Sequence, residues 1–154
     1  MLPSINKINL KKLRDPFFIY KPKILKKSVN FFIKNFSGEA LYAVKANSSE
    51  FVLKKIYELG IRSFDVASIN EIKLVKNLFN NSKIYFMNPV KPRHIINEAY
   101  HKYGVRDFSL DNDIELNKIL ESTGSAKDLN LHLRISVPNN FSKINLSKKF
   151  GTDG

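Results

Sequence analysis

Five short apolar runs recur along the chain, at Ala40 to Lys45, Ser63 to Ala67, Lys83 to Met87, Arg106 to Leu110 and Leu129 to Ile135. Between them the apolar positions shift to helical spacing, over roughly 49–59, 69–79, 92–103 and 112–121. Strand, helix, strand at a pitch of about 20 to 25 residues predicts βαβ units and a parallel sheet. Strands covered on both faces are expected to read as apolar runs without strict alternation. Upstream, residues 1–16 form a polar lead-in, and Phe17-Phe18-Ile19-Tyr20 is a short strand candidate over 17–22. A helix is predicted from Lys23 to Asn35 through Ile24, Leu25, Val29, Phe32 and Ile33, with Pro22 suited to its first turn.

Punctuation at the joints supports this division. Asn47-Ser48-Ser49-Glu50 and Ser68-Ile69-Asn70-Glu71 each place a capping residue three before a glutamate, as a capping box requires. Asp111 can cap the helix that follows it, and Gly60 and Gly104 stand where the preceding helices should end. Each cap follows a strand, so polar groups gather at the strands' carboxyl ends, where α/β folds place their chemistry. The fold class is α/β. Five strands by residue 135 fall short of the eight of a TIM-type (β/α)8 barrel, so the chain is expected to be the amino-terminal part of one. The alternatives are a genuine short product or an open doubly wound domain. Residues 138–154, with Asn139-Asn140 and Gly151-Thr152-Asp153-Gly154, read as a long loop.

Composition narrows the chemistry. The 154 residues are 43% hydrophobic and contain no cysteine, which removes disulfides, thiolate metal sites and cysteine nucleophiles from this segment. No run reaches the roughly 20 apolar residues of a membrane span, and a cytoplasmic location is expected. The formal charge of +12 raises nucleic acid as a partner. The lysines are nevertheless dispersed over nearly every predicted helix, which favours a solvated basic surface; the one local cluster is Lys7, Lys11, Lys12 and Arg14. There is no glycine-rich dinucleotide loop, Walker-type loop or zinc helix, and three scattered histidines do not suggest a metal site.

Lys45 is the sharpest candidate. It ends the first buried strand just before a capped helix, where restricted rotamers and lowered exposure would help its amine form a Schiff base. The bland alternative is one of 21 lysines reaching out of a strand mouth. Asp65, at the mouth of the second strand, is a carboxylate in an apolar run and needs a partner. Lys45 or a cofactor group could supply one, as could a structural pairing or an outward orientation. Glu71 reads as a cap. His132 and Arg134 share one strand face and suggest an anion, ring or carboxylate partner; the alternative is a salt bridge or a satisfied core histidine. His94 and His101 belong to an outer helix. Asn88-Pro89 is a turn that could position a loop, and Lys148-Lys149-Phe150-Gly151 could form an anion-contacting or mobile lid.

Taken in order, these segments resemble the fold-type III pyridoxal-phosphate decarboxylases, the ornithine, arginine and diaminopimelate decarboxylase group. The resemblance runs from about residue 16 to 154. It rests on Tyr42-Ala43-Val44-Lys45-Ala46-Asn47, Phe64-Asp65-Val66-Ala67-Ser68 with Glu71-Ile72, and Asn88-Pro89-Val90-Lys91. Phe108-Ser109-Leu110-Asp111, Glu115-Leu116, Leu133-Arg134-Ile135 and Leu146-Ser147-Lys148-Lys149-Phe150-Gly151 complete the set.

The resemblance implies a partial alanine-racemase-like barrel over residues 23–154, with 17–22 joining a β-rich domain beyond this sequence. It implies pyridoxal 5'-phosphate held covalently by Lys45, with Ala43, Asp65 and Arg134 also at the cofactor. Lys149 would lie near the active-site entrance and the partner subunit of a homodimer, whereas His132 does not match the family's ring-stacking histidine. The implied activity is decarboxylation of a basic amino acid. The Asn-Pro-x-Lys and Leu-Ser-Lys-Lys-Phe-Gly details point to ornithine and its product putrescine. Diaminopimelate, lysine or arginine are alternative substrates, and a noncatalytic regulatory relative or a basic nucleic-acid-binding module are alternative roles. The glycine-rich phosphate loop, the acid facing the pyridine nitrogen and the cysteine loop are not in this sequence, so the isolated piece is expected to be inactive.

Overall fold

The computed structural model describes residues 5–12, 14–137 and 150–152. Strands β1 (Leu41–Ala43), β2 (Ser63–Val66), β3 (Lys83–Phe86), β4 (Asp107–Leu110) and β5 (Asn130–Leu133) pair in parallel and in chain order. Helix α1 (Pro22–Asn35) precedes β1; α2 (Glu50–Glu58), α3 (Ile69–Leu78), α4 (Arg93–Tyr103) and α5 (Asp113–Ser122) connect successive strands. A strand order without reversal is that of an opening barrel, because a doubly wound sheet reverses at its switch point.

The register sets which side chains share a face. Ala43, Asp65, Tyr85, Asp107 and Asn130 form one row across the sheet. Their neighbours Phe64, Val66, Ile84, Phe86, Phe108 and Leu110 turn the other way, onto Leu53, Ile72, Val75, Ile96, Ala99 and Ile119 of the helices. This corrects the expectation of uninterrupted apolar strands. Only the helix-covered face is apolar, and the concave face carries Ser63, Asp65, Lys83, Tyr85, Asp107, Ser109 and His132 in alternation.

The expected capping box of α3 is formed in its first half, Ser68 Oγ accepting from the Glu71 N–H at 3.3 Å, while Glu71 Oε2 reaches one residue further back and accepts from the Ala67 N–H at 2.7 Å. That of α2 is not. The helix starts at Glu50, and Asn47 Oδ1 instead accepts from the Ser49 N–H at 3.0 Å, a local turn that delivers the chain into the helix. At α5 the cap is Asn112, not Asp111, its Oδ1 taking the Glu115 N–H at 2.8 Å. Residues 16–20 have no regular secondary structure. Phe17–Tyr20 thus pairs with no strand among the described residues, and Tyr20 packs its ring edge-on to Phe51 with centroids 4.8 Å apart. His94 and His101 are exposed on α4, as expected.

After β5 the chain returns to the sheet: Ile135 and Thr152 form a parallel bridge, and Gly151 lies against the backbone between them. A Cβ on Gly151 would meet the Ser136 nitrogen at 2.7 Å, and its φ of +110° belongs to the glycine region. Gly104, at φ +67°, has open space around it. Gly104→Ala should therefore cost about 1 kcal/mol, for its left-handed backbone alone. Gly151→Ala should cost at least about 2 kcal/mol because clash adds to strain. Denaturant unfolding of the two variants in the full-length protein measures the difference.

Candidate active site

Lys45 does not lie in β1. The β1–β2 ladder ends at Ala43 and Asp65, and Lys45 sits in the single 3-10 turn Val44–Ala46 directly beyond it. Fully buried Val44 anchors this turn, and the Tyr42 hydroxyl donates to the Asn47 carbonyl at 3.2 Å, tying its far end back to the strand. The backbone under Lys45 is held on both sides. Its side chain is exposed, contrary to the lowered exposure expected of a strand lysine, and among the described residues its amine makes no hydrogen bond or ion pair.

Asp65 is half-buried on the concave face beside Ala43. Burial raises its carboxyl above the ordinary 3.8, and the positive charge of Lys45 pulls it partly back. The structure thus brings these two sequence candidates together. A carboxyl with a raised folded value binds protons more tightly than in the unfolded chain, so its contribution falls as pH rises from about 4 through that value. Asp65→Asn should flatten this part of the stability–pH curve, measurable by denaturant midpoints at a series of pH values.

Arg134 stands at the mouth of β5, four strands or roughly 19 Å of sheet away from β1. Its backbone N–H donates to Leu110 at 2.8 Å, its carbonyl accepts from Thr152 at 2.9 Å, and its guanidinium lies 5.0 Å over the Phe150 ring. His132 has a carboxylate partner: Nε2 is 3.0 Å from Oδ1 of buried Asp107. Lys148 and Lys149 of the expected lid lie outside the described residues, while the Gly151 N–H donates to Asp111 Oδ2 at 3.2 Å.

Two polar assemblies were not anticipated as units. On the concave face Glu39 accepts from the hydroxyls of Ser63 and Tyr85 and pairs with Lys83 at 3.5 Å; the hydroxyl bonds hold its carboxyl below the ordinary range. Lys83 in turn lies 4.0 Å from Asp107, which reaches His132. The signal was the polar residue at every second position of each strand. The other assembly lies beneath the strand mouths. Lys91, with no exposed surface, directs its amine to Glu115 Oε1 at 2.9 Å, the Asn88 carbonyl at 2.8 Å and the Ser109 carbonyl at 2.5 Å. Glu115 is itself only 3% exposed and also accepts from the Lys91 N–H and from Lys118. The two motif segments Asn88–Lys91 and Glu115–Leu116 thus meet through one ion pair.

A family model described as the pyridoxal-binding domain of pyridoxal-dependent decarboxylases matches residues 23–154. The chain belongs to this family. Antizyme inhibitor 2 of Xenopus laevis is 36% identical over 149 residues, 96% of this chain and 32% of that protein. Ornithine decarboxylase of Panagrellus redivivus is 38% identical over 112 residues, 73% of this chain and 25% of that one. Among solved structures, lysine decarboxylase from Selenomonas ruminantium superposes with a TM-score of 0.76 at 27% identity, covering 93% of this chain and 37% of its own. The chain thus spans 25% to 37% of the length of these relatives, and its sheet is the amino-terminal part of the decarboxylase barrel.

Pyridoxal phosphate is the cofactor of this decarboxylase family, and the β1–β2 mouth fits it. The Lys45 amine is open to a carbonyl, Asp65 places negative charge beside it, and the small Ala43 side chain leaves room on the concave face.

Proposed function

We propose that the intact protein is a pyridoxal-phosphate-dependent ornithine decarboxylase, producing putrescine and carbon dioxide in the cytoplasm as a homodimer. The observation that carries this reading is the open Lys45 amine beside half-buried Asp65 at the mouths of adjacent strands. Pyridoxal phosphate, when bound, supplies an electrophilic carbonyl and a ring that accepts the electrons left by the departing carboxylate. Lys45 would hold the cofactor through its amine, open to the concave face where the substrate's amino group would approach. Asp65 holds compensating negative charge beside that amine. Ala43 lines the same row without bulk, and Arg134 would supply positive charge to the cofactor region from the fifth strand's mouth. No helix among the described residues is long and apolar enough to cross a membrane.

Offering the full-length protein ornithine, lysine, arginine and diaminopimelate, and measuring carbon dioxide with the matching amine product, tests the substrate. Ornithine should be turned over at least about ten-fold more efficiently than the others, a difference of about 1.4 kcal/mol in transition-state binding. Preference for another basic amino acid would move the assignment within the family. A second reading is favoured by the antizyme inhibitor match, namely a noncatalytic relative that acts by binding a protein. Full-length protein that retains no pyridoxal phosphate at Lys45 and releases no carbon dioxide would establish it.

A further inference from the structure

Lys91 and Asn88 carry none of the chemistry assigned above, yet their bonds lead directly to it. The main-chain ladder between β2 and β3 continues one step past the strands, where the Met87 N–H donates to the Val66 carbonyl at 3.0 Å. Just beyond that last rung, the Ala67 carbonyl accepts from the Asn88 side-chain amide at 3.4 Å. A side chain thus extends the link between the two strand ends past the ladder. Ala67 is two residues beyond Asp65, and its own N–H is held by Glu71 at 2.7 Å. The backbone that carries Asp65 is therefore gripped at its outgoing end by Asn88 on one side and Glu71 on the other.

Asn88 is in turn held by Lys91. The three protons of the Lys91 ammonium have three partners: the Asn88 carbonyl, the Ser109 carbonyl at the end of β4, and Glu115. Glu115 is fixed by Asn112 through its backbone and by Lys118 through its other carboxylate oxygen. A single buried cation thereby joins the mouths of β3 and β4, and Asn88 carries the linkage to β2. Surface charge would not need such an arrangement, since a surface lysine finds its partners in water.

We infer that Lys91 is a positioning residue, which acts through Asn88 to fix the end of β2 and hence the carboxylate of Asp65 against the Lys45 amine. This rests on Lys45 being the cofactor lysine. It makes the motif Asn88-Pro89-Val90-Lys91 a brace for the site and not a ligand of it. Pro89 and Val90 turn the chain so that Lys91 points back under its own loop.

The test uses full-length protein reduced with borohydride in the presence of pyridoxal phosphate across a pH series, with labelling at Lys45 followed by mass spectrometry. Asn88→Ala removes the side-chain bond to the Ala67 carbonyl while leaving the Lys91–Glu115 pair in place, so it should fold. It should weaken cofactor binding about five-fold, the loss expected for one hydrogen bond, and displace the pH midpoint of Lys45 labelling. A purely structural role would lower the unfolding midpoint without moving that pH profile. In a Lys91→Met, Glu115→Leu background, Asn88→Ala should add little, because both changes break one linkage. A wild-type pH profile in Asn88→Ala, or effects that simply add in the triple variant, would overturn the inference alone. Wild-type protein that takes no label at Lys45 would overturn the cofactor assignment and this inference with it.

Discussion

Replacing Lys45 by alanine in the full-length protein is expected to abolish covalent retention of pyridoxal phosphate and to lower decarboxylation by about 10³-fold or more. The magnitude follows from what the amine does. In the proposed function it is the group that attaches the cofactor, and among the described residues the other lysines near this face are engaged: Lys83 by Glu39 and Tyr85 on the concave face, and Lys91 beneath the loops. The charge of Lys45 also bears on Asp65, whose carboxyl it holds down against the effect of burial. Lys45→Ala therefore changes two things at once, and Lys45→Arg separates them. Arginine keeps the positive charge beside Asp65 but does not attach to a carbonyl at neutral pH, because its guanidinium stays protonated. Both variants should lose the absorbance of attached cofactor and the borohydride-stable label. Only Lys45→Ala should shift the pH dependence that Asp65 contributes. Retention of label elsewhere in Lys45→Ala would show that a different lysine does the chemistry.

The β1–β2 mouth was legible in the sequence because its parts are local. A buried strand ending in Lys45, and a second strand interrupted by Asp65, declare themselves from residue type and position, and parallel pairing of consecutive strands puts them side by side. What sequence position could not give was the conformation of the turn. Its position at the end of an apolar run makes Lys45 a strand residue of reduced exposure, whereas the ladder stops at Ala43 and a 3-10 turn presents the amine outward. The difference arises from bonds between residues five apart, Tyr42 to Asn47, which no periodicity reports. The concave face departs from its expected pattern for another reason. Strands of a parallel sheet were expected to be apolar on both sides, but Ser63 and Asp65, Lys83 and Tyr85, Asp107 and Ser109 alternate with core residues. Such alternation normally marks a water-facing side, and here the polar side chains neutralise one another across strands. The pairing of His132 with Asp107 joins residues 25 apart and depends on register, which the sequence leaves open.

The Lys91–Glu115 pair was equally hidden, since a lysine in a loop and a glutamate in a helix's first turn are both ordinary at the surface. Its removal should produce the largest stability effect in this part of the protein. Lys91→Met keeps length and removes charge, leaving Glu115 ionised in a site only 3% exposed and the Asn88 and Ser109 carbonyls without their donor. Breaking a buried pair from one side costs about 3 to 5 kcal/mol, because the remaining charge keeps its desolvation penalty without its partner. Here Lys118, at 2.5 Å from Glu115, offsets part of that cost and places the expectation near the lower figure. Replacing both partners, as Lys91→Met with Glu115→Leu, removes the stranded charge and should recover most of the loss, with Lys118 free to reach water. Burial lowers the Lys91 ammonium below the ordinary 10.5, more strongly than Glu115 raises it. Well below the folded value both states carry the proton; between that value and 10.5 the unfolded chain holds a proton the folded chain has shed. Lys91 therefore makes stability rise with pH across that alkaline window. Unfolding midpoints of the full-length protein in denaturant should show this rise in wild type and lose the contribution in both Lys91 variants. If the single and double variants were equally destabilised, the loss would come from lost packing and not from a stranded charge.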